Sequence, residues 1–382
     1  MCLVRKISME ISQLQTPCLI LDEQKFKAHC DWMKNKCRRL GVNLRPHLKT
    51  GKSKEFSLNQ MMTPEGPATV STLLEAENFF NWGVKDLIYA VGIAPSKFAR
   101  AAELIKKGCD LKLILDNADT AKALSNFCKE EKIEIPVLIE IDCDGHRSGV
   151  KPGSSTLIEV ARSLSDGAKL VGVLTHAGDS YGCVGSEACK KAAENERDSI
   201  VLAADRLREA GFKIDIISVG STPTATFAEN WDGCTEVRCG VYCVGDLVMA
   251  GVGVYKPEDL ALSLLVEVIG HQKEKGWVIT DGGWMALSRD RGTASQAVDY
   301  GYGAVCDVKG KIIDNLFVKL ANQKHGVIVD RTGKPLRPED FPIGTKLRIL
   351  PNHACAMAAQ HHSYHVVNNG AVTAEWPRFS GW

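Results

Sequence analysis

Between about residues 17 and 255, short apolar runs rich in β-branched residues alternate with longer stretches of helical periodicity. The apolar runs predict strands at residues 18–21, 87–91, 112–115, 137–141, 170–174 and 214–219. The intervening stretches predict helices, among them residues 96–107, 118–129, 155–165 and 187–210. Buried strands separated by helices are typical of βαβ units and a parallel sheet. Two weaker strands, near Leu44 and at residues 68–70, bring the count to about eight units, so we predict a (β/α)8 barrel over residues 17–260.

The pattern changes after residue 261, where helical periodicity gives way to apolar alternation punctuated by Gly and Pro. Strands are predicted at residues 262–269, 277–280, 310–317, 326–330 and 346–350. A chain of 382 residues is also too long for one core of ordinary size. We therefore predict an α/β protein with a second, smaller β-rich domain over residues 261–382, which we expect residues 1–16 to join.

Charge and cysteine content limit the class of protein. The 47 basic and 46 acidic side chains nearly cancel, whereas a nucleic-acid surface needs a basic excess on one face. The fourteen cysteines have no regular spacing, and the first residues lack the pattern of a secretory signal. No apolar run reaches the roughly 18 residues of a spanning helix. We expect a cytoplasmic protein with free thiols that binds neither nucleic acid nor membrane.

A lysine stands shortly after the predicted strand near Leu44, in the segment RPHLKT at residues 45–50. Catalytic groups of a (β/α)8 barrel project from the carboxyl ends of its strands. Lys49 would lie at such an end, where a lysine can form a Schiff base with a carbonyl cofactor. Most lysines are solvated surface residues, and Lys49 taken alone fits that description too. Both interpretations stay open on this residue.

Two further predicted strand ends carry polar side chains on a Gly-rich backbone. They are DCDGHRSG at residues 142–149, which contains His146 and Arg147, and THAGDSY at residues 175–181, which contains His176 and Tyr181. Such loops let side chains approach a flat ligand closely. Each histidine could instead be an ordinary loop residue, but their occurrence after successive strands favours a binding site.

A possible phosphate site follows the last predicted barrel strand. The segments VGSTPT at residues 219–224 and EVRCGVY at residues 236–242 carry small hydroxyl residues and exposed backbone N–H groups. These features form phosphate cradles, and barrels bind phosphate in the loops after their seventh and eighth strands. An ordinary turn would have the same composition, so the segments alone leave the role of this region open.

The β-rich domain contains one candidate metal pair, His353 and Cys355, in the segment PNHAC at residues 351–355. In an extended segment alternate residues lie on the same side, so we expect these two side chains to face together. Imidazole and thiolate suit Zn²⁺, although a catalytic zinc usually has three protein ligands. A buried cysteine beside a loop histidine is the more ordinary explanation. His361, His362 and His365 could support the pair or simply form a polar terminal segment.

Taken together and in this order, these segments resemble the D-threonine aldolase and D-serine dehydratase family. This family is a metal-dependent branch of the fold-type III, alanine-racemase-like pyridoxal-phosphate enzymes. The resemblance runs from TPCLILD at residues 16–22 to PNHAC at residues 351–355, and its most specific pieces are RPHLKT, GSTPT and PNHAC. It implies an alanine-racemase-like barrel that binds pyridoxal 5′-phosphate.

The resemblance also implies a role for each candidate residue. Lys49 would be the catalytic Schiff-base lysine. Arg147 would face the pyridoxal 3-oxygen, and His176 and Tyr181 would line the pocket. The residues implied to hold the phosphate are Gly220, Ser221, Thr222, Gly240 and Tyr242. His353 and Cys355 would bind a divalent metal.

The second metal position divides the family, because aldolases usually carry H-x-D where dehydratases carry H-x-C. Cys355 thus indicates the D-serine dehydratase branch, and its soft thiolate favours zinc. We expect β-elimination from a D-3-hydroxy amino acid, first of all D-serine, which gives a keto acid (pyruvate) and ammonia. The alternatives are an aldolase that gives glycine and an aldehyde, an amino-acid racemase, and a non-catalytic pyridoxal-phosphate carrier. The resemblance further implies a homodimer.

Overall fold

The computed structural model describes residues 5–382, and their side chains from residue 9 onward. The strands are β1 Arg5–Glu10, β2 Cys18–Asp22, β3 Asn43–Leu44, β4 Ala68–Val70, β5 Asp86–Gly92, β6 Asp110–Leu115, β7 Ile135–Ile141, β8 Ala168–Thr175, β9 Ile216–Val219, β10 Glu236–Val237, β11 Leu262–Gln272, β12 Trp277–Thr280, β13 Ala304–Cys306, β14 Ile312–Ala321, β15 Gly326–Asp330, β16 Lys346–Leu350, β17 Ser363–Asn368 and β18 Ala371–Pro377. The helices are α1 Glu23–Arg39, α2 Lys54–Gln60, α3 Leu73–Asn81, α4 Phe98–Lys106, α5 Ala118–Glu131, α6 Thr156–Arg162, α7 Ser186–Glu209, α8 Thr222–Phe227, α9 Leu247–Val252, α10 Trp284–Leu287 and α11 Ala354–Ala358.

Within the described residues, β3 to β10 form one eight-stranded parallel sheet in the order β3-β10-β9-β8-β7-β6-β5-β4. Its two outer strands meet beyond the end of β3, where His47 forms a parallel bridge with Thr69 of β4. The N–H of Leu48 donates to the carbonyl of Thr69 (2.9 Å), and the N–H of Thr69 donates to the carbonyl of Pro46 (2.9 Å). The sheet therefore closes on itself, and the predicted (β/α)8 barrel is confirmed.

The barrel differs from the prediction in its first strand. β2 pairs antiparallel with β11 and parallel with β17, so it belongs to the other sheet of the protein. Its run of three fully buried apolar residues suits the centre of either sheet, and its partners lie more than 200 residues away in the chain. The prediction that residues 18–21 begin the barrel is wrong. β3 is the first barrel strand, and β9 and β10 are the seventh and eighth.

The second sheet, as far as residues 5–382 show it, has ten strands in the order β1-β18-β17-β2-β11-β12-β15-β14-β13-β16. All pairs are antiparallel except β2 with β17. β16 also pairs with β11, which joins β11, β12, β15, β14, β13 and β16 into a closed ring. The strong apolar alternation after residue 261 thus builds an antiparallel β-rich domain, as the sequence predicts.

Contacts divide the chain into two compact units. One holds the barrel and comprises Asp31–Lys49, Ser57–Gly240 and the last two residues. The other holds the ten-stranded sheet and comprises, of the described residues, 5–30, Thr50–Phe56 and Val241–Ser380. Residues 17–30 and 241–260, which the sequence assigns to the barrel, therefore group with the sheet. Among the described helices, none has the length and the apolar character that crossing a membrane requires.

Candidate active site

Lys49 follows the first barrel strand and is exposed. Its neighbour His47 is held on both sides, with Nδ1 3.5 Å from the Lys49 N–H and Nε2 3.2 Å from the Ser71 hydroxyl. Burial lowers the pKa of His47 well below its ordinary value, and the positive charges of Lys49 and Arg238 lower it further. His47 is therefore a neutral imidazole beside the lysine.

The loops after β7 and β8 bring Arg147, His176 and Tyr181 to the same barrel. His176 lies with Nδ1 3.1 Å from the Gly220 carbonyl, and its ring centroid is 6.0 Å from that of Tyr181. Burial, Arg238, Lys49 and Arg147 together lower the pKa of His176 to about 3, although the hydrogen bond to Gly220 opposes them. His176 is thus a second neutral imidazole within the electrostatic reach of Lys49. His146 instead faces the exposed carboxylate of Asp179 at 2.7 Å.

The loop after the seventh barrel strand carries three of the residues predicted to hold a phosphate. Gly220 has φ +128°, and a Cβ there would lie 2.2 Å from the carbonyl oxygen of Arg238, so only glycine fits. Ser221 caps α8 by accepting from the Thr224 N–H at 3.2 Å, and its hydroxyl is 2.7 Å from that of Ser180. The buried Thr222 hydroxyl has no hydrogen-bond partner within the described part of the chain. A buried hydroxyl of this kind fits a cofactor oxygen as its partner.

Gly240 and Tyr242, the other two residues implied to hold the phosphate, fall in different compact units. Gly240 follows the eighth barrel strand, and its carbonyl accepts from the Gln60 side chain at 3.5 Å. Tyr242 is fully buried in the unit of the ten-stranded sheet, where its carbonyl accepts from the Tyr255 hydroxyl. The barrel unit itself therefore contains all the predicted cofactor residues except Tyr242.

Arg238, just after the eighth barrel strand, belongs to this group but was not predicted. Its guanidinium is buried and donates to the Ser218 hydroxyl (2.7 Å) and to the Thr175 carbonyl (2.5 Å). Burial lowers its pKa to about 10, although the carboxylates of Glu236 and Glu196 oppose the shift. The cation contributes to keeping His47 and His176 neutral. Its position directly after a strand is the signal that could have identified it.

Glu196, a buried carboxylate on α7, was also missed. Its Oε1 accepts from the N–H groups of Ala177 (3.1 Å) and Gly220 (2.8 Å), and its Oε2 accepts from the Thr224 hydroxyl (2.7 Å). Burial raises its pKa above the ordinary range. The Glu196 side chain thus links the loop after β8 to the loop after β9 by hydrogen bonds. In the sequence this glutamate looks like any other in a charged helix.

In the other unit, His353 and Cys355 lie at the start of α11, with His353 as the residue before the first helical turn. The prediction that residues 353–355 are extended is therefore wrong. The helix begins here because Asp246, itself buried, accepts from the N–H of Ala354 (3.0 Å) as well as from that of Met249 (2.9 Å). The two side chains nevertheless lie near enough for Cys355 to raise the pKa of His353.

The surroundings of this pair are anionic. His353 Nδ1 lies 2.6 Å from Asp290 Oδ2, and Cys355 Sγ lies 3.0 Å from the Thr50 hydroxyl, which follows Lys49 in the chain. Burial lowers the pKa of His353, but Asp290, Cys355 and Asp246 outweigh it and raise that pKa to about 11. An imidazole and a thiol amid carboxylates fit a divalent cation in their charge and donor type.

Two protein ligands are all that this pair supplies. Among the residues that the structure describes, no group of three or more His, Cys, Asp or Glu side chains is arranged to hold a metal. Of the later histidines, His361 faces the carbonyl of Ala286 at 3.0 Å, and His365 lies on β17. Water or substrate would have to complete the coordination of a metal held by His353 and Cys355.

Comparisons with known proteins identify both halves of the chain. The family described as "Alanine racemase, N-terminal domain" matches residues 21–248, and the one described as "Putative serine dehydratase domain" matches residues 261–367. D-threo-3-hydroxyaspartate dehydratase of Delftia sp. strain HT23 is 47% identical over 97% of this chain and 98% of its own. D-serine dehydratase of Dictyostelium discoideum is 29% identical over 94% of this chain and 95% of its own.

The solved structure of the Delftia enzyme is 46% identical and superposes with a TM-score of 0.96 over 98% of this chain and 100% of that one. Two solved variants of D-threo-3-hydroxyaspartate dehydratase, each 46% identical to this chain, have a histidine replaced by alanine and a cysteine two positions later replaced by alanine, the latter in the metal-free form. The expected family, the fold and the enzyme class are confirmed. The chain belongs to the D-threonine aldolase and D-serine dehydratase family of fold-type III pyridoxal-phosphate enzymes, and it is a pyridoxal-phosphate-dependent lyase.

Proposed function

We propose that this lyase is a metal-assisted dehydratase that converts a D-3-hydroxy amino acid into a keto acid and ammonia by β-elimination. The observation that carries the proposal is the position of His353 and Cys355 together at the start of α11, with the carboxylate of Asp290 2.6 Å from the imidazole. D-serine is the first candidate substrate, and it would give pyruvate. D-threo-3-hydroxyaspartate is the second, because a relative 47% identical to this chain is named for that substrate.

We assign the proton transfer at the substrate α-carbon to Lys49. Bound pyridoxal phosphate supplies the electron sink that stabilises negative charge at this carbon. The exposed Lys49 would hold the cofactor through its amine, and the same amine, once released, would take the α-proton. The pKa values of His47 and His176 are lowered, so both imidazoles are neutral. Neither ring therefore donates a proton in place of Lys49, and neither repels a protonated Lys49.

We assign phosphate binding to the loops after the seventh and eighth barrel strands. The Thr222 hydroxyl, which the described residues leave without a partner, would donate to a phosphate oxygen. Gly220 permits the close approach of this loop to Arg238, and Gly240 follows the neighbouring strand. We further propose that Arg147 faces the pyridoxal 3-oxygen, that Tyr181 lines the pocket and that Tyr242 contacts the phosphate.

We assign metal binding to His353 and Cys355, and we expect zinc because thiolate is a soft ligand. Hydroxide is a poor leaving group, and a Lewis acid on the β-oxygen would contribute several kcal/mol to its departure. Cys355 is supported in this role by a solved cysteine-to-alanine variant of a D-threo-3-hydroxyaspartate dehydratase, which is in the metal-free form. From the resemblance we also propose that the protein is a homodimer and that it is located in the cytosol. Light scattering of the purified protein tests whether it is a dimer.

An aldolase is the alternative that uses nearly the same residues, since a metal on the β-oxygen would also support cleavage of the Cα–Cβ bond. A racemase would have no use for His353 and Cys355. A non-catalytic carrier would have no use for the ten-stranded sheet that holds them. The pair therefore argues for a reaction at the β-carbon.

The test is product analysis with D-serine before and after removal of metal. We expect pyruvate and ammonia in equal amounts, and loss of turnover on chelation with the visible band of the bound cofactor retained. His353→Ala should behave like the chelated enzyme, whereas His362→Ala, at an exposed position, should keep full activity. Full activity after thorough chelation, or glycine as the main product of a 3-hydroxy substrate, would refute the proposal.

A further inference from the structure

We infer that Asp290 is a positioning residue for the metal site, which it serves by fixing the ring orientation and tautomer of His353. The inference rests on the proposed metal role of His353. Asp290 lies 63 residues before the histidine, in the segment after α10, and its Oδ2 is 2.6 Å from His353 Nδ1. This is the short contact of a charge-assisted hydrogen bond.

Asp290 is itself held in place at both its side chain and its backbone. Its Oδ1 accepts from the N–H of Gly292 at 2.8 Å, so the two carboxylate oxygens have separate partners. Its carbonyl accepts from the side chain of Asn352 at 3.1 Å. Asn352, the residue before His353, is buried and also donates to the carbonyl of Gly301 at 2.6 Å. The carboxylate and the imidazole are thus fixed by one connected set of hydrogen bonds.

The consequence for His353 is a choice of the nitrogen that a metal can use. With Asp290 at Nδ1, this nitrogen keeps its hydrogen and donates it, so a metal that displaces the other ring proton would find the lone pair on Nε2. The opposite tautomer would set the Nδ1 lone pair against a carboxylate oxygen. Metal-binding histidines commonly have such a carboxylate partner, which orients the ring and raises its basicity. Nε2 is therefore the nitrogen that this arrangement presents to a metal together with Cys355.

Asp246 supports the same segment in a different way, because its carboxylate accepts from the backbone N–H of Ala354. It positions the start of α11, whereas Asp290 positions the imidazole ring. Replacement of Asp290 by asparagine separates the two effects. The amide oxygen can still accept from Gly292, but its NH₂ group would then face His353 Nδ1 and favour the tautomer with the hydrogen on Nε2.

The experiment measures the metal dissociation constant of the full-length, cofactor-loaded protein by competition with a chromophoric chelator for Zn²⁺. We expect Asp290→Asn to bind Zn²⁺ about 10–100-fold more weakly than the unmodified protein. The matched control is Asp299→Asn in the same segment, because Asp299 accepts from Gly301 (2.8 Å) and pairs with Arg291 (2.8 Å). We expect the control to bind Zn²⁺ as tightly as the unmodified protein.

Co²⁺ provides a second readout that a merely structural role would not give. At saturating Co²⁺ we expect Asp290→Asn to show the thiolate-to-metal absorption of the unmodified protein, while Cys355→Ser lacks it. Equal affinities for Asp290→Asn and the unmodified protein would overturn the inference, as would an equal loss in Asp299→Asn, which would indicate general disruption of the segment. An unmodified protein that binds no metal would instead refute the proposed metal role itself.

Discussion

Replacement of Glu196 by glutamine tests how the phosphate loop is held. The carboxylate accepts hydrogen bonds from two backbone N–H groups, at Ala177 and Gly220, and from the Thr224 hydroxyl. Glutamine has nearly the same shape, and its carbonyl oxygen can keep both N–H partners. Its NH₂ group would face the Thr224 hydroxyl, which loses its short bond to Glu196 and keeps only Ser221 as a more distant acceptor.

The expected change in cofactor affinity follows from the loss of the hydrogen bond between residue 196 and the Thr224 hydroxyl. A hydrogen bond to a charged group contributes about 1.5–3 kcal/mol, and part of this is recovered because glutamine needs no burial of a charge. A net loss of about 1.4 kcal/mol on the loop would weaken pyridoxal-phosphate binding about tenfold. Glu196→Ala would also leave the buried N–H donors of Ala177 and Gly220 unpaired at about 1–3 kcal/mol each, which endangers folding.

The effect on stability should depend on pH in a defined direction. Burial raises the pKa of Glu196, so the folded protein binds this proton more tightly than the unfolded chain does. Its contribution to stability is present below the unfolded pKa and is lost as the pH rises through the raised folded pKa. Glutamine does not titrate. The destabilisation caused by Glu196→Gln should therefore be largest at low pH and should shrink as the pH rises.

Two measurements check this reasoning. Equilibrium dialysis gives the dissociation constant of pyridoxal phosphate, and urea unfolding across the pH range gives the free energy of unfolding. Glu194→Gln is the matched control, because Glu194 is exposed on the same helix. Unchanged cofactor affinity in Glu196→Gln, or a destabilisation that grows with pH, would refute the account of this loop.

Three further substitutions test other parts of the account. Lys49→Ala should abolish the visible absorption of the lysine-bound cofactor, while Lys54→Ala, at an exposed position, should keep it; a retained band in the first variant would contradict the assignment. Gly220→Ala forces a Cβ to 2.2 Å from a backbone oxygen at φ +128°, so it should cost at least about 2 kcal/mol in urea unfolding, and Gly153→Ala, which has open space, should cost little. Cys355→Asp replaces a soft ligand by a hard one and should shift the ratio of Zn²⁺ to Mn²⁺ affinities towards Mn²⁺ in metal titrations; an unchanged ratio would argue against Cys355 as a ligand.

Much of the fold could be predicted because the periodicity of apolar residues along a short segment determines whether that segment forms a strand or a helix. The predicted strands at residues 277–280, 326–330 and 346–350 agree with β12, β15 and β16 to the residue. The barrel strands β5 to β9 were each placed within about two residues, as expected for element ends. Long-range pairing could not be predicted in this way. The partners of β2 lie at β11 and β17, and nothing local to residues 18–22 separates them from barrel partners.

In the candidate site, too, the residues identified by their local sequence position could be predicted, and those that act through distant contacts could not. Residues that follow a strand directly, such as His176 and Gly220, could be found because strand ends of a barrel meet at one face. Glu196 and Asp290 could not, because their roles come from contacts 24 and 63 residues distant along the chain. The extended conformation predicted for residues 353–355 failed for a similar reason. Asp246, more than a hundred residues earlier, provides the acceptor that starts α11 there.

The central claim is that the reaction eliminates the β-hydroxyl. D-threo-3-hydroxyaspartate tests it most directly, because elimination and Cα–Cβ cleavage of this one substrate give different products. We predict oxaloacetate and ammonia from the zinc-loaded enzyme, and neither product after chelation. Glycine and glyoxylate as the main products would contradict it and would show that His353 and Cys355 serve an aldolase.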